Sequence, residues 1–262
     1  MEKEIPTPHG AIKIIFENDD LLVVEKPAGL IVHEGDATQE PTLADYLLAD
    51  YPELKGVGEE ETRPGIVHRL DREASGLMVV ARNQASFLHL KEQFKKRKVK
   101  KEYIALAHGK IIRDEGRILF PIVRSRAGFK MAALPLGAEK IEEKKTKLSN
   151  RDLGTIEAHE RARQAITDFI CEKKWPHLTL LRVNIKTGRT HQIRVHMAAS
   201  GHPLVGDDVY GTPKTKVKNS KIGLGRIFLH AALLSFTAPS GEKLSFASAL
   251  PVELMDFLAK QK

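Results

Sequence analysis

The stretch Gly65-Ile66-Val67-His68-Arg69-Leu70-Asp71-Arg72-Glu73-Ala74-Ser75-Gly76 leads directly into the apolar run Leu77-Met78-Val79-Val80-Ala81. The apolar run predicts a buried strand, so the polar residues before it form a loop at the edge of a sheet. In that loop Asp71 stands between Arg69 and Arg72. A neighbouring guanidinium lowers the pKa of a carboxyl group, and an ionised, partly desolvated carboxylate can act as a nucleophile. The alternative interpretation is a solvated surface ion pair, which the apolar residues on both sides disfavour.

The composition is typical of an ordinary globular protein. The chain has 262 residues, of which 42% are apolar, so it can bury a core as one large domain or two small ones. Its one cysteine, Cys171, excludes an internal disulfide and a cysteine-based zinc site. The sequence contains neither a run of ~18 apolar residues nor an apolar signal-peptide core at its start. We therefore expect no membrane span and a cytoplasmic location.

The charge balance favours a polyanionic partner without identifying one. The chain carries 42 Lys and Arg against 34 Asp and Glu, a net charge of +8. A moderate positive charge of this kind is compatible with nucleic acid binding, and equally with a protein that binds none.

Hairpins outnumber alternating strand and helix units, which predicts the α+β class. We treat residues 1–10 as an N-terminal tail and 11–262 as one domain, with a charged insertion at about 138–163. Ala11–Glu17 and Leu21–Glu25 read as two strands, and Pro213–Gly225, which is rich in Lys and Gly, as a mobile loop.

A helix is predicted from Thr190, as its N-cap, to about Ser200. Its N-terminus follows Lys186 and Arg189 and is therefore a candidate anion site. His191 and His196 are five residues apart rather than the four expected for two metal ligands on one helix face, so we expect no metal site here.

Four stretches, in order along the chain, resemble the motifs of the RluA-type pseudouridine synthases. In the first stretch above, the matching residues are His68, Arg69, Leu70, Asp71, Ser75 and Gly76, and Ala74 stands where the family commonly has Thr. The others are Val24-Glu25-Lys26-Pro27-Ala28-Gly29-Leu30-Ile31-Val32-His33, Lys101-Glu102-Tyr103-Ile104-Ala105-Leu106, and the region from Thr187-Gly188-Arg189-Thr190-His191-Gln192-Ile193-Arg194-Val195-His196 to Gly206-Asp207-Asp208-Val209-Tyr210-Gly211. The resemblance extends from about Ala11 to Leu258, and four motifs in the right order are highly specific.

The resemblance implies the pseudouridine synthase fold, a long mixed and largely antiparallel sheet with flanking helices and a central catalytic cleft. It also implies isomerisation of uridine in RNA to pseudouridine without a metal or other cofactor. The catalytic residues by resemblance are Asp71, as nucleophile or base, Tyr103, against the uracil, and Arg194, paired with Asp71, with Arg189 a weaker candidate for that pairing. The residues expected to contact RNA are His68, Arg69, Lys26, Arg189, His191 and Gln192.

Two other classes of function are compatible with parts of this pattern. One is a catalytically silent RNA-binding protein on the same fold, which the intact set of Asp71, Tyr103 and Arg194 disfavours. The other is a hydrolase that uses Asp71 with His68 or His191, and the sequence lacks a nucleophile-elbow or metal motif for it. The residues leave open whether ribosomal or transfer RNA is the target and which step at Asp71 comes first. We expect the catalytic domain alone, as a monomer.

Overall fold

The computed structural model describes residues 3–33, 40–125, 130–134 and 161–261. The predicted insertion at 138–163 lies outside the described residues except for its last three. None of the helices in the described ranges is long and apolar enough to cross a membrane.

Five helices and twelve strands are described. The helices are α1 (Leu43–Asp50), α2 (Gln84–Lys95), α3 (Gln192–Ala199), α4 (Pro213–Ile222) and α5 (Val252–Ala259). The strands are β1 (Glu4–Ile5), β2 (Ile12–Glu17), β3 (Leu21–Lys26), β4 (Ser75–Ala81), β5 (Lys100–His108), β6 (Glu115–Ile118), β7 (Ile122–Arg124), β8 (Met131–Ala133), β9 (Thr167–Lys174), β10 (Leu178–Ile185), β11 (Leu229–Thr237) and β12 (Lys243–Ala247).

The chain divides into two compact units, and β5 passes from the first into the second. The first unit contains residues 1–104 and 224–262, and the second contains residues 105–223. The sequence-based division into a tail and a single domain stays a prediction. Within the supposed tail, however, β1 pairs with β2, with Glu4 opposite Lys13 and Ile5 opposite Ile12.

In the first unit the strand order is β1-β2-β3-β4-β11-β5, and β12 pairs with β11. The pairs β1-β2, β2-β3, β3-β4 and β11-β12 are antiparallel, whereas β4 and β11 run parallel. All seven residues of β4 are buried, as expected for a central strand. Phe87 and Leu90 of α2 pack against Leu77 and Val79 of this strand. The catalytic loop predicted from the sequence therefore leads into the most deeply buried strand of the first unit's sheet.

In the second unit the strand order is β5-β10-β9-β6, and β7 and β8 form a separate antiparallel pair. The pairs β6-β9 and β9-β10 are antiparallel. Val195 of α3 packs with Ile122 and Ala165 in a small core. Together the strands and helices confirm the predicted α+β class with a mixed, largely antiparallel sheet, while the central catalytic cleft stays a prediction.

Two predicted element assignments are wrong. Residues 213–222 form α4 rather than a mobile loop, with Thr212 accepting a hydrogen bond from Thr215 N at 3.2 Å and Gly223 ending the helix in the left-handed conformation. In α3 the N-cap is His191, at φ 53°, rather than Thr190, and no side chain caps the helix.

Candidate active site

The loop that carries Asp71 is tied back onto β4 by backbone contacts at its start. Gly65 O accepts a hydrogen bond from Ala81 N at 2.9 Å, and Ile66 forms a bridge with Val80. A Cβ on Gly65 would lie 2.3 Å from Ala81 O, so no other residue permits this approach. The start of the loop is therefore fixed against the end of the strand that follows it.

His68 adds a side-chain link between the loop and the same strand. Its Nε2 accepts a hydrogen bond from Val79 N at 3.0 Å, and its ring stacks on Phe94 with the ring centroids 4.6 Å apart. Burial and the nearby charge of Lys101 lower the pKa of His68 to about 3, so the imidazole is neutral at physiological pH. Because its Nε2 already accepts a backbone hydrogen, His68 supports the loop in this arrangement, while its predicted contact with RNA stays a prediction.

The two arginines beside Asp71 differ in their contacts. Arg72 donates from Nε to Gly29 O at 3.0 Å and from Nη2 to Glu40 Oε2 at 2.8 Å. Arg69 is exposed, and within the described part of the chain its guanidinium makes no hydrogen bond or ion pair. A cavity of about 260 Å³ lies beside the loop, with Arg63, Arg69 and Lys91 among its lining residues. The exposed Arg69 is thus available to a ligand in a way that Arg72 is not.

The structure places Lys26 inside the fold, and its predicted contact with RNA stays a prediction. Its side chain is fully buried, and Nζ donates to the backbone oxygens of Pro27 at 2.8 Å, Leu30 at 2.8 Å and Arg72 at 3.2 Å. Burial lowers the pKa of Lys26 to about 7, and the charge of Asp71 opposes that shift. The ammonium therefore joins the Lys26–Leu30 turn to the backbone next to Asp71 and is hidden from solvent.

Tyr103 lies in β5, is buried, and is electrostatically coupled to Asp71. Burial first, and the negative charge of Asp71 second, raise the pKa of the Tyr103 hydroxyl above its ordinary value of 10.0. The phenol is therefore protonated at neutral pH. The first unit thus brings Asp71, Tyr103 and the buried Lys26 together, with half-buried Asp71 as the acid of this set.

A buried polar chain supports the other end of the loop, where Ser75 begins β4. Ser75 Oγ accepts from Arg226 Nη2 at 2.6 Å and lies 2.9 Å from His230 Nδ1. His230 Nε2 lies 3.1 Å from Ser248 Oγ, which in turn bonds to Glu25. Burial and the charge of Arg226 lower the pKa of His230 to about 4, so a neutral ring links the two hydroxyls. Sequence reasoning missed Arg226 and His230, because neither belongs to one of the four motifs that resemble the family.

In the second unit Arg194 is buried and forms a bidentate ion pair. Its Nε donates to Asp207 Oδ2 at 2.8 Å and its Nη2 to Asp207 Oδ1 at 3.0 Å. Asp207 is fully buried and also accepts from the backbone nitrogens of Val209 and Tyr210. The loop after α3 therefore holds the guanidinium in a fixed orientation. The pairing of Arg194 with Asp71 stays a prediction.

Of the three residues near the start of α3 that are predicted to contact RNA, Gln192 is buried, whereas Arg189 and His191 are half-buried. Gln192 is buried and fully hydrogen-bonded: Oε1 accepts from Thr187 Oγ1 at 2.7 Å and Arg189 N at 3.1 Å, while Nε2 donates to Ile166 O and Thr167 Oγ1, each at 3.0 Å. The Gln192 amide therefore has all its hydrogen-bonding capacity used within the fold, and its predicted contact with RNA stays a prediction.

Arg189 and His191 are each half-buried. His191 Nδ1 lies 2.8 Å from the hydroxyl of Tyr210, and the Arg194 guanidinium lies over the same tyrosine ring, 5.2 Å from its centroid. Contacts of Arg189 and His191 with RNA stay predictions.

Comparison with known proteins assigns the chain to a family. The sequence profile described as RNA pseudouridylate synthase matches residues 20–199, more than half of the chain. The chain belongs to the RNA pseudouridylate synthase family. The match includes Asp71, Tyr103 and Arg194, which confirms the family that the motifs indicated.

Relatives of this RNA pseudouridylate synthase family member come from several bacteria. A ribosomal large subunit pseudouridine synthase D from Nitrosomonas europaea is 36% identical over 250 residues, which cover 94% of this chain and 64% of the relative. An uncharacterized RNA pseudouridine synthase from Aquifex aeolicus is 38% identical over 215 residues, which cover 81% of this chain and 60% of the relative. The chain thus spans less than two thirds of the length of either relative.

A solved structure, human RNA pseudouridylate synthase domain containing 1, has the same fold. It superposes with a TM-score of 0.69 at 25% identity and covers 94% of this chain and 86% of its own. This agreement confirms the pseudouridine synthase fold for the chain.

Proposed function

We propose that the protein isomerises uridine in RNA to pseudouridine, with Asp71 as the residue at which the reaction begins. The observation that carries this proposal is the coupling of Asp71 to Tyr103 and Lys26 in a member of the RNA pseudouridylate synthase family. Because relatives are named for the ribosomal large subunit, we propose ribosomal RNA as the substrate. A monomer that acts in the cytoplasm, without a metal or other cofactor, is part of the same proposal.

In the proposed reaction the target base first leaves its stack, at a cost of a few kcal/mol. The exposed Arg69 next to Asp71 fills the vacated position. The C1′–N1 bond then breaks, the base rotates in place, and a C1′–C5 bond forms, while the C5 proton is lost and N1 gains a proton. No atom is gained or lost overall, so the product is an isomer of the substrate.

Tyr103 contributes to this reaction as a neutral phenol that packs on the uracil. Its raised pKa, caused first by burial and second by the charge of Asp71, makes a free phenolate rare at neutral pH. The support for Tyr103 is thus its electrostatic coupling to Asp71.

Arg194 is proposed to stabilise the ionised form of Asp71 from the loop that Asp207 organises. Arg194→Ala removes that charge but also leaves the buried Asp207 carboxylate without its guanidinium, at a cost of about 3–5 kcal/mol. Its loss of activity is therefore informative only on protein whose folding has been verified by thermal melting.

The deciding experiment is Asp71→Asn, tested on an unmodified transcript of large-subunit ribosomal RNA. We expect pseudouridine formation to fall by at least ~10⁴-fold, because a nucleophilic carboxylate is replaced by an amide of the same size. Asp19→Asn, the same change at an exposed aspartate of the first unit, should retain activity. The readout is carbodiimide modification and reverse transcription, which also maps the target. Appreciable product from Asp71→Asn would refute the proposal, and release of free base would indicate a hydrolase.

A further inference from the structure

Helix α4 carries four lysines and no acidic residue in ten positions. Lys214, Lys216 and Lys221 are exposed and Lys218 is half-buried. None of the four forms an ion pair with any residue that the structure describes. This helix therefore presents uncompensated positive charge to solvent.

Some lysines in other described parts of the chain are ion-paired, and others are not. Lys3 pairs with Asp50 at 2.9 Å, Lys100 with Glu102 at 2.7 Å and Lys174 with Asp114 at 2.7 Å, whereas Lys13 and Lys243 form no ion pair with a described residue. In α4 four such unpaired lysines lie within ten residues.

Three of the lysines form a single stripe. Lys214, Lys218 and Lys221 are spaced i, i+4 and i+7, so they lie on one face of the helix. Seven residues of helix extend over ~10 Å, which is close to the rise of three nucleotides in one strand of a duplex. The stripe can therefore reach about three consecutive phosphates.

The opposite side of α4 is anchored to the fold by Asn219. Its buried side chain accepts from Gly206 N at 3.0 Å and contacts His108 Nε2 at 2.7 Å. Gly206 precedes Asp207, which holds Arg194. The helix that carries the three lysines is thus hydrogen-bonded to the loop that orients Arg194, a proposed catalytic residue.

We infer that Lys214, Lys218 and Lys221 of α4 bind consecutive phosphates of the substrate RNA. This inference rests on the proposed function for the identity of the RNA. A phosphate contact at this stripe fixes the register of the RNA relative to Arg194, because Asn219 and Asp207 connect the two. It carries no base specificity, since phosphates are the same at every position.

The first test measures RNA affinity against salt concentration by fluorescence anisotropy, with a labelled hairpin that contains no modified nucleotide. The variant combines Lys214→Gln, Lys218→Gln and Lys221→Gln. Log affinity falls linearly with log salt concentration, and each lost phosphate contact reduces the magnitude of that slope by about 0.7 to 0.9. For three lost contacts we expect the magnitude of the slope to be smaller by about 2 to 3 in total. The same three changes to Arg keep the charge and should keep the slope.

A matched control removes the same charge from the first unit, with Lys55→Gln, Lys243→Gln and Lys260→Gln, which are all exposed and form no ion pair with a described residue. Its slope should stay near that of the wild type. A wild-type slope in the α4 variant, or an equal decrease in the control, overturns the inference. A loss of binding to anionic lipid vesicles without a change in RNA binding also overturns it.

A second measurement needs no variant and so does not depend on the variants folding. Lysine acetylation of the wild type is compared with and without the hairpin, and Lys214, Lys218 and Lys221 should be protected while Lys260 is not. Equal acetylation at all four overturns the inference. Pseudouridine formation by the wild type is recorded separately: if none forms but the slope and protection respond, the proposed activity fails and α4 stands as an RNA-binding surface.

Discussion

At the scale of single residues, Lys26 links the Asp71 loop to the turn at the end of β3 through one buried ammonium. Its pKa of about 7 in the folded protein lies below the ordinary 10.5. Between these two values the unfolded chain holds the proton that the folded protein has released. The unfolded state therefore binds more protons, and the contribution of Lys26 to stability rises with pH across this window.

Lys26→Met removes this titration. We expect the stability of the wild type relative to the variant to increase between pH 7.5 and 9.5, on the order of 1 kcal/mol per pH unit. Urea unfolding of both proteins at the two pH values measures the effect. Lys13→Met, at a half-buried lysine of β2, is the control for the replacement of a lysine by methionine. An unchanged difference between wild type and Lys26→Met at the two pH values contradicts the prediction.

The residue scale also marks the limit of sequence reasoning about the site. The sequence indicates Asp71 and Tyr103 through local motifs, and their catalytic roles stay predictions. The hydrogen bonds of Lys26 and Gln192 within the fold could not be predicted in full, because some of their acceptors lie far along the chain: Arg72 is 46 residues from Lys26, and Ile166 is 26 residues from Gln192. A polar residue in a motif looks like a ligand contact until its partners in the fold are known.

At the scale of elements, the parallel pair β4 and β11 depends on Gly76. A Cβ at this position would lie 2.4 Å from Ala231 O and 2.6 Å from Ala231 N, and the φ of Gly76 is +117°. These Ala231 atoms belong to the backbone of β11, so they cannot move away from an added Cβ as a flexible side chain could. The glycine of the motif therefore lets β11 approach β4 and brings His230 opposite Ser75.

Gly76→Ala should separate these strands and destabilise the protein by about 3 kcal/mol or more, because it adds both overpacking and backbone strain. Gly56→Ala is the matched control: its φ is +82°, but a Cβ there meets nothing within 4 Å, so it should cost about 1–2 kcal/mol from strain alone. Thermal or urea unfolding compares the two. Equal losses would mean that close approach of β11 contributes nothing.

Helix α4 illustrates why an element can be missed although its end signals are present in the sequence. Thr212 caps it, Pro213 occupies its first turn and Gly223 ends it, and all three are local signals. The prediction of a loop relied on the absence of an apolar face. That face is absent because the helix attaches to the fold through the polar side chain of Asn219, whose partners His108 and Gly206 are known only from the tertiary structure.

At the scale of the whole molecule, burial is unequally distributed among the strands. Every residue of β4 is buried, whereas β12 alternates between exposed and half-buried positions. Strands of this first kind open only with much of the surrounding unit, while outer strands open locally. The Asp71 loop is tied to β4 at Gly65, His68 and Ser75, so its position is as stable as the strand itself.

Amide hydrogen exchange should distinguish the buried strand β4 from the more exposed strand β12. We expect the amides of Leu77–Val80 to be among the slowest to exchange and to follow the free energy of global unfolding as urea is added. The amides of Lys243–Ala247 should exchange faster, through local opening that urea affects little. In Gly76→Ala the exchange of Leu77–Val80 should accelerate far more than in Gly56→Ala, because only the former loses the contact with β11. Equal amide exchange rates for β4 and β12 in the wild type would mean that β4 opens locally, without unfolding of the surrounding unit. In that case β4 could not be what fixes the position of Asp71.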